Sequence, residues 1–457
     1  MKTKTSFSAR LAAALLIFSM LLSLAACGQA PAPTGTPDET SRETVRESEK
    51  ETARGTEDTK ESETKKSPSG TVKAGNLMEG IDPEPVEGKA ADDRFKASQY
   101  AFAANLMASS YGDDGGNCLI SPLSVVLALA MTANGAANNT VAQMQDVLGS
   151  GMTLAELNAY LYQYVKDLPS SAKSKLAVAN SVWLNDRGDF AVLSDFLRAA
   201  ASWYGADVYK MPFNDKTVKE INNWVSKNTD KMIKQIVDKI SDDDRMFLIN
   251  AVCFDSKWGT PFMKTADRLF TEADGSEKNV DMMYSQESEY YAGENYTGFA
   301  KYYENGYKFV AILPDEGTSL DEFIAGLDGA ALAAVLDGTV YTKVNIGLPK
   351  FSYDYTANLA IRLADMGMTD AFDDFAADFS KMSDTKLVIA GVIHKTFIEV
   401  TEAGTRAAAV TAVTMAQATA IQTEPPKEVI LDRPFLYMIV DSENCLPIFI
   451  GTVNSVD

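Results

Sequence analysis

Histidine is almost absent from this chain: its 457 residues contain one, His394. A Ser-His-Asp or Cys-His hydrolase would have to be built on that residue, and a zinc centre made from several histidines is excluded. No Gly-x-Ser-x-Gly element occurs, so the strand-to-helix nucleophile turn of one hydrolase class is missing. Cysteine is scarce. Cys27, Cys118, Cys253 and Cys445 lie far apart, and no Cys-x-x-Cys pair exists. Positive charge is in deficit, with 42 Lys and Arg against 63 Asp and Glu and a net charge of −21. That balance argues against nucleic acid, whose phosphates call for Lys and Arg, and no basic cluster suits heparin. No internal repeat of about 20–50 residues is visible.

What is present is enough for a large core, since 46% of the residues are hydrophobic. Residues 1–27 read as an export signal: Lys2, Lys4 and Arg10 make a basic start before the apolar run Leu11 to Leu22. That run is short for a membrane span, and it ends in Leu24-Ala25-Ala26-Cys27. The ending resembles the bacterial lipobox, in which the cysteine is acylated and becomes the mature N-terminus. The expected location is therefore the extracellular face of the cell membrane, with Cys27 as the lipidated residue. An ordinary cleavable signal with an incidental cysteine would give a secreted protein instead. Residues 28–70 form a tether. From Gly28 to Lys66 there is no aromatic residue and Val45 is the one β-branched aliphatic, so little apolar surface can offset the entropy of ordering. A globular domain is expected over residues 71–457.

Within it, Phe95, Phe102 and Leu106 predict a helix over about residues 93–111. Ser121-Pro122 is a helix start, with the hydroxyl as cap and proline in the first turn. The following helix, Leu123–Asn134, is apolar all round and should be buried. Thr140…Gln143, Thr153…Glu156, Thr217…Glu220 and Ser319…Glu322 have capping-box spacing. Strand patterns lie at Leu176–Leu184, Met246–Phe254, Tyr307–Leu313, Thr342–Tyr353, Leu387–Val400, Phe435–Val440 and Leu446–Thr452. Helices concentrate early and strands late, which predicts one mixed α+β domain. Cys118, Cys253 and Cys445 read as buried free thiols. Met282-Met283 and the tyrosine-rich run Tyr290–Tyr307 read as core and strand packing.

The stretch from Glu402 to Pro425 is unlike the rest. It is small and polar, with Met415 and Ile421 its bulky apolar residues after Val413, and it holds no Lys, Asp or Phe. A connection of this length between strands is either functional or unstructured. Thr405, Ala407, Ala409, Thr411 and Val413 recur at every second position, the spacing of one strand face. Composition alone fits an Ala/Thr-rich surface linker equally well.

Several motifs, taken in order over about residues 76–457, resemble the serpins, the serine-protease inhibitor family. They are Ser121-Pro122-Leu123-Ser124 with Gly135-Ala136, Asn250-Ala251-Val252-Cys253-Phe254 with Trp258, and Leu348-Pro349-Lys350-Phe351. Gly367-Met368 to Phe372, His394 to Val400, the hinge Glu402 to Thr411, Arg433-Pro434-Phe435 and Phe449-Ile450-Gly451 complete the series. The resemblance implies a mixed α+β fold with a large central β-sheet, smaller sheets, about eight or nine helices and an exposed reactive loop. It implies an inhibitor rather than an enzyme, monomeric, with no cofactor and no metal. A target serine protease cuts the loop and becomes covalently acylated, and the loop then inserts as a strand into the central sheet. Glu402, Gly404, Thr405, Ala407, Ala409 and Thr411 would be the hinge residues. Ser121, Ser124, Asn250 and His394 match a polar cluster under the opening sheet, and Lys350 and Glu402 match a salt-bridged pair at its top. Trp258 and Pro349 read as packing residues.

The bond to be cut falls between Ala418 and Thr419, with Met415, Gln417 and Ala420 as alternatives. Small side chains there point to elastase- or subtilisin-like proteases rather than trypsin-like ones. Ala403 and Arg406 depart from the family's acidic preferences, and both are expected off the inward face. Three other readings remain open: inhibition of a cysteine protease, a non-inhibitory serpin-fold binding protein, and a surface hydrolase or solute-binding lipoprotein.

Overall fold

The computed structural model describes residues 75–112, 115–171, 174–188, 190–406 and 425–456. All of them belong to one unit, Gly70–Asp457. The leader, Cys27, the tether, and the loop residues Ala407, Ala409, Thr411, Ala418 and Thr419 lie outside the described residues, as do Met415, Gln417 and Ala420.

Among the described residues the fold is mixed α+β, with nine α-helices and two large sheets. The first sheet holds seven strands: β1 (Gly75–Asn76), β3 (Ser174–Asn185), β4 (Asp207–Met211), β5 (Met246–Lys257), β11 (Phe351–Asn358), β12 (Ile389–Thr401) and β13 (Gly404–Thr405). Their spatial order is β1-β4-β3-β5-β13-β12-β11. The second sheet holds nine: β2 (Leu119–Ile120), β6 (Lys264–Thr271), β7 (Glu277–Ala292), β8 (Tyr296–Tyr302), β9 (Tyr307–Pro314), β10 (Thr339–Pro349), β14 (Lys427–Ile430), β15 (Phe435–Asp441) and β16 (Pro447–Val453). The helices are α1 (Asp93–Ser110), α2 (Pro122–Ala133), α3 (Asn138–Gly149), α4 (Leu154–Asp167), α5 (Ser194–Ala199), α6 (Asp215–Asn228), α7 (Leu320–Ala325), α8 (Gly329–Asp337) and α9 (Ala360–Asp365).

Helix α2 is the pillar. Ser121 caps it, its hydroxyl accepting from the Ser124 amide, Pro122 stands in the first turn, and every residue of the helix is buried. It touches β3 and β5 on one side and β16 on the other, so it fills the space between the two sheets. An apolar helix without a wet face is stable only in such a place.

Local signals in the sequence succeed where one polar residue has no competitor. Thr153–Glu156 and Ser319–Glu322 form reciprocal capping boxes at α4 and α7. The other two expected boxes do not form. Helix α3 starts after Ala137, and Thr140 lies inside it, its hydroxyl accepting from the Asp378 amide. Helix α6 is capped by Asn214, and the Thr217 hydroxyl instead donates to the Pro212 carbonyl at 2.6 Å. Asparagine three residues upstream is the stronger cap.

The expected strand Thr342–Tyr353 is two strands in different sheets. The chain passes from β10 to β11 at Pro349-Lys350. Strand β6 carried no signal because nearly all of it is exposed, which removes the apolar alternation that marks a strand. None of the three domain cysteines forms a disulfide, and Cys118 and Cys253 are buried. Cys445 departs from the expectation. It is half-buried in a turn, with φ at +59° rather than in a strand.

Candidate functional site

The first sheet has an unfinished seam. Strands β5 and β12 run parallel and pair from Met246 with Ile389 up to Val252 with Thr396. Above that level they part. At the top the chain turns back after β12, and β13 pairs antiparallel with both neighbours, Thr405 opposite Val400 and Ser256. Between these levels, below the Arg406 amide that still donates to the Glu399 carbonyl, Cys253–Phe254 of β5 and Phe397–Ile398 of β12 have no strand between them among the described residues. Among the described residues the sheet is thus pinned at its lower half, propped at its top and unpaired across the seam in between.

The pin is a buried hydrogen-bond chain. His394 and Asn250 face each other across the seam, both fully buried, with Nδ1 and Oδ1 at 2.5 Å. The Ser121 amide donates to His394 Nε2 at 3.1 Å, so Nε2 is an acceptor and the proton sits on Nδ1. The Asn250 amide nitrogen donates to the Ser124 carbonyl at 2.6 Å, to the Ser124 hydroxyl, and to Asn180 Oδ1 at 2.6 Å. The four sequence candidates Ser121, Ser124, Asn250 and His394 therefore form one network. It ties the two seam strands to each other and to the first turn of α2. Asn180, on β3, is a member that sequence reasoning missed. A polar residue amid the apolar pattern of β3 was its one visible sign.

Burial drives the His394 pKa down to about 3. The geometry explains why the ring stays neutral: protonated Nε2 would point a second donor at the Ser121 N–H. The ring is placed as a structural bridge from β12 to Asn250 of β5 and to the start of α2. Among the described residues no group of His, Cys, Asp and Glu could hold a metal ion.

The prop at the top is the turn Thr401–Gly404. Trp258 holds it twice, its ring Nε1 donating to the Thr401 carbonyl at 2.8 Å and its backbone amide to the Ala403 carbonyl at 3.0 Å. The Phe262 amide donates to the Glu402 carbonyl at 3.0 Å. Lys350 Nζ lies 2.7 Å from Glu402 Oε1 and 3.3 Å from Asp281 Oδ2. The hydrogen bond to Glu402 raises the Lys350 pKa. Burial works against the Glu402 carboxylate, yet Lys350 and local hydrogen bonds hold its pKa below the ordinary value. Both side chains are about one-third exposed, so the pair is worth at most about 1 kcal/mol and serves to orient the turn.

Gly404 has φ at +157°, a region that side chains seldom allow. Thr405 is buried, and its hydroxyl meets the Tyr303 hydroxyl at 2.5 Å. Tyr303 was read only as packing, and its place in an aromatic-rich run hid this contact. Ala403, expected off the inward face, is 7% exposed because the turn folds under Trp258. Arg406 is half-buried, its guanidinium 5.6 Å from the centre of the Phe397 ring. The remaining hinge residues and the reactive bond lie outside the described residues.

Comparison with known proteins agrees with this geometry. Residues 97–456 match the family described as Serpin (serine protease inhibitor). The chain is 34% identical to Serpin B6 of Pongo abelii over 380 residues, which is 78% of this chain and 97% of that protein. It resembles the native-state crystal structure of the thermophilic serpin Tengpin, with a TM-score of 0.80 and 45% identity. That match covers 84% of this chain and all of that one. Against the latent state of Tengpin the TM-score is 0.71, at 44% identity over 81% of this chain and all of that one.

The neutral His394 makes a pH prediction. Its folded pKa lies below the unfolded value of about 6.5, so the unfolded chain binds the extra proton as pH falls. Stability is then full at neutral pH and is lost progressively between about pH 6.5 and pH 3. From pH 7 to pH 5 this group alone costs about 2 kcal/mol. Urea unfolding of the wild type and of His394→Gln at both pH values will read it. The variant should lack that share of the acid sensitivity, and an identical pH dependence would contradict the assignment.

Proposed function

The chain belongs to the serpin family, and on that premise we propose that it inhibits an extracellular serine protease by a suicide mechanism. The half-filled seam carries this reading. A strand entering between β5 and β12 would run antiparallel to both, replacing a parallel contact by two antiparallel ones, the more stable pairing per residue.

The register of β13 can be continued down the seam residue by residue. Thr405 stands opposite Val400 and Ser256, so each further residue steps one place back along both neighbours. Ala407 then falls opposite Ile398 and Phe254, and Ala409 opposite Thr396 and Val252. Thr411 falls opposite His394 and Asn250, and Met415 reaches Met246. Along β12 the even-numbered residues from Val392 to Val400 are the buried ones, so the inward face of the entering strand is Thr405, Ala407, Ala409, Thr411 and Val413. All are small, and Thr411, a hydroxyl, would arrive between the two polar groups whose mutual bond it breaks. The lower seam must unzip from Thr396 downward for this to happen. The His394–Asn250 bridge is the barrier, costing about 1 kcal/mol for each hydrogen bond lost.

In the chemical step the serine Oγ of the protease attacks the Ala418 carbonyl. The bond to Thr419 breaks, Thr419 leaves as a free amine, and the protease stays esterified to Ala418. Insertion then competes with hydrolysis of that ester. With Met415 at the lower end of the sheet, the protease would be carried the whole length of the seam from where it attacked. The small residues around Ala418 suit elastase- or subtilisin-like pockets. We further propose that the protein is monomeric and tethered to the outer membrane face through lipidated Cys27, with residues 28–70 giving reach. Its role there is to shield the cell surface from proteolysis.

Incubation with subtilisin, elastase and trypsin tests the inhibitor reading directly. Subtilisin or elastase should yield a complex that survives a denaturing gel, and Thr405→Arg should abolish it and leave a cleaved substrate. Burying an unpaired charge costs several kcal/mol, enough for ester hydrolysis to win. A gel-stable complex with Thr405→Arg contradicts inward burial of that position. For the anchor, Cys27→Ser should move the protein from the membrane fraction to the soluble one. A variant still in the membrane fraction removes the lipid claim.

A further inference from the structure

We propose that Tyr303 and Arg406 are positioning residues that hold the hinge two residues into its slot and stop it there. The idea rests on the insertion reading above and concerns how the uncut chain resists inserting prematurely.

Gly404 and Thr405 pair with strands on both sides. What fixes their register is a side chain from outside the sheet. Tyr303 is buried, stacked on Trp258 with ring centres 4.3 Å apart, and set edge-on to Phe254 at 4.9 Å. These contacts leave its hydroxyl a single direction, towards the Thr405 hydroxyl at 2.5 Å. Both hydroxyls are buried, so either one left alone would be an unpaired polar group. A slip of the hinge by one residue would move Thr405 to the wet face and put Arg406 in its place. The Tyr303 contact therefore selects the register from which every later pairing follows.

The next residue ends the pairing. The Arg406 amide still donates to the Glu399 carbonyl at 2.7 Å, the last rung of the ladder. Its φ, however, is +53°, in the left-handed region, so strand geometry ends at this residue. A non-glycine residue disfavours that conformation, and a strand requires the opposite one. Immediately below, Cys253–Phe254 and Phe397–Ile398 have no strand between them among the described residues, so the two edges that extension would pair with are in place. The guanidinium rests over the Phe397 ring on the outer side of β12. Propagation thus needs one local event, the passage of Arg406 from left-handed to extended backbone. Arg406 acts as a stop because of where its backbone sits, and the residue type at this position sets how firm the stop is.

Substitutions separate this from a role for the charge. Valine disfavours the left-handed region and favours strands, whereas glycine does the reverse on both counts. Glutamine keeps the backbone preference of arginine and removes the charge. The readout is the rate at which the full, uncut chain, on mild warming, converts to a form that resists urea and no longer traps protease. Arg406→Val should convert about tenfold faster than wild type and Arg406→Gly several-fold slower, while Arg406→Gln stays within about twofold. Tyr303→Phe should accelerate hydrogen exchange at the Thr405 and Arg406 amides about tenfold, with the amides of β11 unchanged.

Equal rates for the valine and glycine variants, or the reverse order, overturn the stop. Unchanged exchange at Thr405 and Arg406 in Tyr303→Phe overturns the latch. If the wild type never converts and its cleaved form gains no resistance to urea, the insertion reading itself fails and takes the stop with it. If the wild type converts and the variants do not differ, the stop alone is lost.

Discussion

A pair of parallel strands joined over only half their length governs this molecule. Strands β5 and β12 are closed at the bottom by backbone pairing and by the His394–Asn250 bridge, and kept apart at the top by a two-residue wedge. In the proposed mechanism antiparallel neighbours are available for any segment that enters the seam, so the closed seam is a local optimum with a better arrangement beside it. What keeps the molecule there is, on that reading, kinetic. The polar bridge must break before the better pairing can form.

The surroundings serve that arrangement. Helix α2 lies against the seam strands and offers its N-terminal turn, Ser121 to Ser124, as the partner of the bridge. Trp258, Phe262 and Lys350 hold the turn Thr401–Gly404, and Tyr303 holds Thr405 directly after it. In the proposed mechanism the acyl bond to the protease supplies time, and the sheet supplies the free energy. No catalytic group of this chain is required, which fits a sequence with one histidine locked in a neutral, buried state.

Much of this was legible in the sequence, and the reason differs from element to element. Helix α2 announced itself through Ser121-Pro122 and an unbroken apolar run, because capping chemistry and total burial both leave local traces. Thr405 is buried as its place in the period-two pattern predicts, and the later members of that pattern lie outside the described residues. The branching of the Pro349-Lys350 corner between two sheets left no such trace, since a strand pattern says nothing about which sheet receives it. Tyr303 and Asn180 escaped for a related reason: a hydroxyl or amide partner more than fifty residues away leaves no mark on its own neighbourhood. Arg406 was visible as an unusual residue, but its left-handed backbone could be found only in three dimensions. The false capping boxes at Thr140 and Thr217 show the opposite error, a local pattern overruled by neighbours that bind better.

The claim under all of this is that a severed loop lies lower in free energy inside the sheet than outside it. Its most direct test is the melting temperature of the protein before and after a single nick between Thr414 and Ile421. For a domain of this size each kcal/mol is worth about 1 °C. A filled seam, gaining a run of buried backbone hydrogen bonds, should raise the midpoint by about 10 °C or more. A nicked protein that melts where the intact one does would contradict the account, because its loop would still be outside.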